Sequence, residues 1–218
     1  MTVAQFQEVN RINTTTPDTV ERLGWIVCHI YNLTEAVVNV LEPKSFLRYV
    51  RKIEKQMTTK PSRWQRILLQ TDATKITLGQ FIECQHWLKN DAIAALDLVA
   101  ASLLLKRGNH KADAIRMKER PFNQVLPKVL LFIESMNGMI GNYKGLFEPV
   151  EKVEGEEVKP EKLHPFIDRY GWIYSAKELA AYEGITLEQS YTLPIIQAFN
   201  GLSYLKAKQS YDKAQAKK

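Results

Sequence analysis

The sequence predicts a mainly α-helical protein, and three observations carry that expectation. Apolar residues recur every three or four positions through most of the chain, as at Phe46, Val50, Ile53 and Met57, the spacing that puts side chains on one face of a helix. Residues that start and stop helices bracket these runs, with Pro17, Pro43, Thr77, Asn90 and Thr186 ahead of them and Gly108 and Gly184 behind. Only residues 63–70, "RWQRILLQ", read as a strand. The expected layout is a helical N-terminal domain over 1–147 with at most one small β-hairpin. An acidic linker over 148–163 follows, then a small three-helix domain over 164–218 with a basic tail.

Taken in order, residues 1–16 show no clear period and end in a threonine run, so an extended arm is expected. Thr16 can cap a helix that starts at Pro17 and runs to about residue 32, with Val20, Leu23, Val27, Ile30 and Tyr31 as its apolar stripe. A short helical turn at 34–38 precedes a helix opened by Pro43, whose apolar positions face away from Arg48, Arg51, Lys52 and Lys55. The strand at 63–70 could pair with 74–77 as a hairpin. Thr77 and Gln80 form a capping box, and Asn90 opens a helix over 91–106. Helices are also expected over 110–119 and 124–147, the second broken by Gly138, Gly141 and Gly145 in a way that invites close helix packing. After the linker come helices over 165–181, 186–191 and 194–209.

Composition narrows the function classes. The content is 45% hydrophobic and 25% charged, ordinary for a globular chain. The longest apolar run, 92–105, is too short to span a bilayer and contains Asp97. No signal-peptide pattern opens the sequence, so an intracellular setting and no membrane partner are expected. Cys28 and Cys84 sit in apolar helical contexts and read as buried thiols. None of His29, His86, His110 and His164 has an acidic or cysteine neighbour at motif spacing. Neither a phosphate-cradling glycine loop nor a nucleophile elbow is present. The expectation is a non-enzymatic protein with no catalytic residue, cofactor or metal.

The net charge is +6, with the basic excess concentrated over 44–66 and 106–128 and an acidic excess over 148–162. Arg63-Trp64-Gln65-Arg66 interleaves cations with an aromatic ring, a pattern that suits nucleic acid but equally a strand edge with its arginines in water. The segment 179–194, "LAAYEGITLEQSYTLP", carries the letters of a helix-turn-helix. Its second helix offers Leu187, Glu188, Gln189, Ser190, Tyr191 and Thr192, with no cation to meet phosphates, and Pro194 cuts it short. A DNA-binding regulator is therefore a lesser alternative, and nucleic acid is not an expected partner. Thr186 with Gln189 is a second capping box, which explains the same letters locally.

The order of these segments resembles a known family. Residues 75–83, "KITLGQFIE", are followed by an apolar helix over 91–105, a polar helix over 110–120 and a long apolar helix over 125–147. The block from Gly171-Trp172-Ile173-Tyr174 to Leu179-Ala180, and Asn200-Gly201-Leu202-Ser203-Tyr204-Leu205-Lys206, complete the pattern. Over roughly residues 75–208 the chain is similar to tail assembly chaperones of tailed bacteriophages. The resemblance implies a protein that binds the long helical tape measure protein and keeps it soluble while the tail tube polymerises. It implies location in the host cytoplasm or the virion, and leaves self-association open. Phe199, Leu202, Tyr204 and Leu205 on the last helix are the expected partner contacts. Within the same biology, the alternative is a virion structural protein such as a connector, neck or internal component.

Overall fold

The computed structural model describes residues 1–58, 67–89, 91, 93–106, 109–147 and 165–216. Among these residues the protein is mainly helical, with twelve α-helices and only isolated β-bridges. The chain divides into two compact units, each assembled from two stretches: Met1–Thr71 with Cys84–Leu131, and Asp72–Glu83 with Phe132–Lys218. Residues 132–147, placed by the sequence at the end of the first domain, thus cluster with the C-terminal helices. The acidic stretch 148–163 lies outside the described residues, as does Arg63-Trp64-Gln65-Arg66.

In the first unit the expected arm is a helix. α1 (Val3–Thr15) opens with a capping box in which Thr2 Oγ1 accepts the Gln5 N–H and Gln5 Oε1 accepts the Thr2 N–H. Long-range contacts hold it: the Val3 N–H donates to the Arg120 carbonyl at 2.8 Å, and Phe6 stacks on Phe122 with centroids 4.6 Å apart. α2 (Thr19–Tyr31) is capped by Asp18, whose carboxylate accepts the Val20 and Glu21 N–H groups. The expected cap, Thr16, instead closes α1, its N–H donating to the Ile12 carbonyl. α3 (Glu35–Asn39) and α4 (Pro43–Thr58) follow, and Val9, Ile12, Ile26, Val27, Val38 and Ile53 form one buried cluster with Phe46, Tyr49 and Val50 packed against it.

α5 (Leu78–Leu88) starts at the expected capping box of Thr77 and Gln80. α6 (Leu96–Ser102) is shorter than the expected 91–106. At its start the Asp91 carboxylate turns back to accept the Ile93 and Ala94 N–H groups, making a separate turn. At its end Leu104 pairs with Leu69 as an antiparallel bridge, with the Gln70 N–H donating to the Leu103 carbonyl at 2.7 Å. Residues 67–70 therefore pair with the chain beyond α6, while Ala73–Lys75 form a single 3-10 turn. α7 (His110–Lys118) is capped by Asn109, and α8 (Phe122–Asn142) and α9 (Lys144–Phe147) take the place of one long helix. Among the described residues, and apart from the helix's own neighbouring backbone, nothing lies within 4 Å of where a Cβ would stand on Gly138, Gly141 or Gly145. Among the described residues those glycines do not mediate the close packing their spacing suggested.

The second unit holds α10 (Pro165–Glu183), α11 (Leu187–Thr192) and α12 (Ile195–Gln215). Phe81, Phe132, Leu179, Ile195 and Phe199 are fully buried there. Phe81 is the hub, meeting Phe199 at 5.0 Å and Trp172 at 5.5 Å in edge-to-face geometry, an arrangement that adds roughly 0.5–1.5 kcal/mol per pair beyond area burial. α10 ends at Gly184, in the left-handed region with φ +67. The Ile185 N–H reaches back to the Ala180 carbonyl at 3.0 Å, a helix stop that glycine permits without steric cost. The Thr186–Gln189 capping box then opens α11.

Candidate functional site

Four side chains on α12 were expected to meet a partner, and the structure separates them. Phe199 is fully buried and Leu202 is 7% exposed, both facing the core of their unit, while Leu205 is half-buried and Tyr204 is 52% exposed. The cause is helical geometry: at 100° per residue, Tyr204 lies about 140° around the axis from Phe199. Phe199 packs edge-on against Phe81, Tyr143 and Phe147. Phe199 and Leu202 thus hold the unit together, and of the expected set only Tyr204 and part of Leu205 face solvent.

Tyr204 belongs to a larger exposed aromatic surface. On α10, Phe166, Tyr170 and Tyr174 follow one another at four-residue spacing, each between 39% and 48% exposed. The three positions follow one another along the helix while their rings lean together, with centroids 5.5 Å apart for Phe166–Tyr170 and 6.5 Å for Phe166–Tyr174. Such a row is one of the ridges that a second helix can receive between its own side chains. Ile173 is exposed beside it, and the Arg169 guanidinium sits 5.3 Å from the centre of the Tyr170 ring. Further along α10, Tyr182 pairs with Tyr204 of α12 at 5.2 Å, both exposed. The Phe-x-x-x-Tyr-x-x-x-Tyr spacing was the signal in the sequence that could have located this ridge.

The helical corner at α11 is pinned by backbone hydrogen bonds on its C-terminal side. The Leu78 N–H donates to the Leu193 carbonyl at 3.0 Å, and the Ile195 N–H to the Ile76 carbonyl at 2.9 Å. Gly79 makes this approach possible, because a Cβ there would stand 3.0 Å from the Tyr191 carbonyl oxygen. α11 therefore presents a six-residue helix without cations, fixed to residues 76–79 by its own backbone.

The first unit has a cleft of about 360 Å³ lined by polar residues, among them Gln7, Glu8, Arg11, Thr14, Asp91 and Lys118. Its charged groups are already satisfied. Arg11 Nε donates to Glu8 at 2.9 Å, and that hydrogen bond holds the Glu8 carboxyl below its ordinary range. Asp97, buried at the base of α6, accepts Gln7 Nε2 at 2.8 Å and lies 3.8 Å from Lys118 Nζ. Asp91 is engaged by its own backbone turn. Cys28 is half-buried, with burial raising its thiol above the ordinary range, and Cys84 is fully buried. His110 stacks over Trp87, and His29 and His86 are exposed; His164 lies outside the described residues. Among the described residues no three His, Cys, Asp or Glu side chains gather as a metal site, and no helix is long and apolar enough to cross a membrane.

Among the described residues, fold and surface together define a mainly helical protein whose most distinctive exposed chemistry is an aromatic helix face. Compared with protein families, with curated proteins and with solved structures, the chain shows no match.

Proposed function

We propose that this protein is a non-enzymatic binding protein that acts as a tail assembly chaperone of a tailed bacteriophage, receiving amphipathic helical segments of a tape measure protein. The observation that supports this reading is the exposed row Phe166, Tyr170 and Tyr174 on α10. Aromatic side chains left in water at helical spacing gain from burial against another apolar surface, and tyrosine is favoured at interfaces because its hydroxyl tolerates a wet rim. An amphipathic helix laid along α10 would supply that surface. Tyr182 and Tyr204 extend it, which retains the C-terminal helix as a contributor through a different set of residues.

Co-expression with candidate tail proteins followed by pull-down is the direct test. Retention and increased solubility of a tape measure protein, lost in the Tyr170→Ala/Tyr174→Ala double variant, is the expected result. A soluble, folded chain that leaves the tape measure protein insoluble removes the reading. Abundant peptides of this chain in purified virions would replace it with a structural role in the particle.

A further inference from the structure

We propose that the outward face of α4 is a phosphate-backbone docking surface for duplex nucleic acid, independent of the aromatic face of α10. α4 (Pro43–Thr58) carries Lys44, Arg48, Arg51, Lys52 and Lys55, all exposed. At 100° per residue these five cations fall within an arc of about 100°, and from Lys44 to Lys55 they extend along roughly 16 Å of axis. Glu54, the single acid of the helix, lies about 110° off the centre of that arc. Among the described residues Lys44, Arg48, Arg51 and Lys52 pair with no carboxylate. Among the described residues these four charges are therefore uncompensated, unlike those of Arg11 or Lys118 in the cleft.

The opposite face of the helix decides what kind of polyanion fits. Ile53 is 6% exposed, and Phe46, Tyr49 and Val50 pack with it against the cluster of Ile26, Val27 and Val38. A helix that binds an anionic membrane must insert its apolar face into the lipid, and in α4 that face is already committed to the protein core. What remains outside is a rigid row of cations with Leu47 as its exposed apolar neighbour. An acidic protein partner would need apolar anchors as well as charge, because exposed ion pairs alone contribute little. A nucleic-acid duplex needs none: it carries about one charge per 1.7 Å of axis, and neutralising its phosphates releases counterions. The exposed arc holds only lysine and arginine, side chains that meet phosphate oxygens along the duplex backbone. The α11 corner plays no part in this binding.

The test is fluorescence anisotropy of the full chain with a labelled 20-base-pair duplex at 50 and 200 mM salt. With four phosphates neutralised, the observed affinity falls roughly 100-fold between these salts. Arg48→Gln/Arg51→Gln weakens binding at 50 mM and lowers the log–log salt slope by about 2. Both positions are exposed, and circular dichroism verifies that the variant stays folded. Lys208→Gln/Lys213→Gln, which removes the same charge from α12, leaves affinity within about twofold. No binding at 50 mM salt overturns the proposal, as does an equal loss in both double variants, which would mean net charge alone. Binding to phosphatidylserine vesicles or to a polyglutamate peptide without binding to the duplex overturns it in favour of those partners.

Discussion

Replacing Gly201 by alanine sets helix propensity directly against packing. A Cβ on Gly201 would stand 2.6 Å from Leu179 Cδ1 and 3.5 Å from Glu183 Oε1. Carbon atoms rest at about 3.5–4.0 Å, so the leucine methyl must retreat by roughly 1 Å. Leu179 is fully buried, and forcing a packed side chain off its position costs about 1–3 kcal/mol. Alanine in a helix interior returns about 0.8–1.0 kcal/mol over glycine. The net effect is a loss of up to about 2 kcal/mol. Gly138→Ala is the matched control, because among the described residues its Cβ would meet nothing within 4 Å and the propensity gain of about 1 kcal/mol stands unopposed. Urea unfolding followed by far-UV circular dichroism, comparing midpoints at equal slope, should place Gly138→Ala above the parent and Gly201→Ala at or below it. A Gly201→Ala protein as stabilised as Gly138→Ala would refute the close α10–α12 approach.

Three further outcomes follow from the same reasoning. Phe199→Ala, which empties the centre of the aromatic cluster, should cost about 3–5 kcal/mol in urea unfolding, whereas Tyr204→Ala should stay within about 0.5 kcal/mol. Thr186→Ala removes the capping box of α11 and should lower stability by about 1 kcal/mol, with Thr186→Ser restoring most of it. In acid, Asp72 and Glu8 act in the same direction: the hydrogen bond from Thr74 lowers the first carboxyl and that from Arg11 lowers the second. A carboxyl depressed in the folded state stabilises it above the unfolded value and loses that contribution as pH falls through the folded value. The urea midpoint should therefore decline below about pH 4, with a shallower decline in Asp72→Asn/Glu8→Gln.

What the sequence reveals about this fold tracks how local each cause is. The Thr77–Gln80 and Thr186–Gln189 boxes and the Gly184 stop are decided within a few residues, and each stands where the letters place it. α1 carries a box of the same kind at Thr2 and Gln5, yet it reads as an arm, because its apolar residues are sparse and its support comes from Arg120 and Phe122. The pairing of 76–78 with 193–195 rests on backbone groups more than a hundred residues apart, which no periodicity encodes. α12 is apolar on more than one side, so spacing alone could not tell that Phe199 faces inward and Tyr204 outward. The aromatic row on α10 was legible as a four-residue repeat, but helix patterns usually mark the buried face, and among the described residues of this helix the buried positions are Ala176, Leu179 and Ala180.

The pairing of 76–78 with 193–195 also sets a clock on synthesis. Ile76, Leu78 and Phe81 are fully buried in the finished protein, yet the Leu193 carbonyl, the Ile195 N–H and the Phe199 ring that enclose them leave the ribosome more than a hundred residues later. At roughly 5–20 residues per second, these three apolar side chains wait on the order of ten seconds for their partners. During that interval the nascent chain shows an apolar segment that the mature protein never does. A ribosome stalled after residue 147 would leave it open, and that is the state in which a cell's folding machinery would meet this chain.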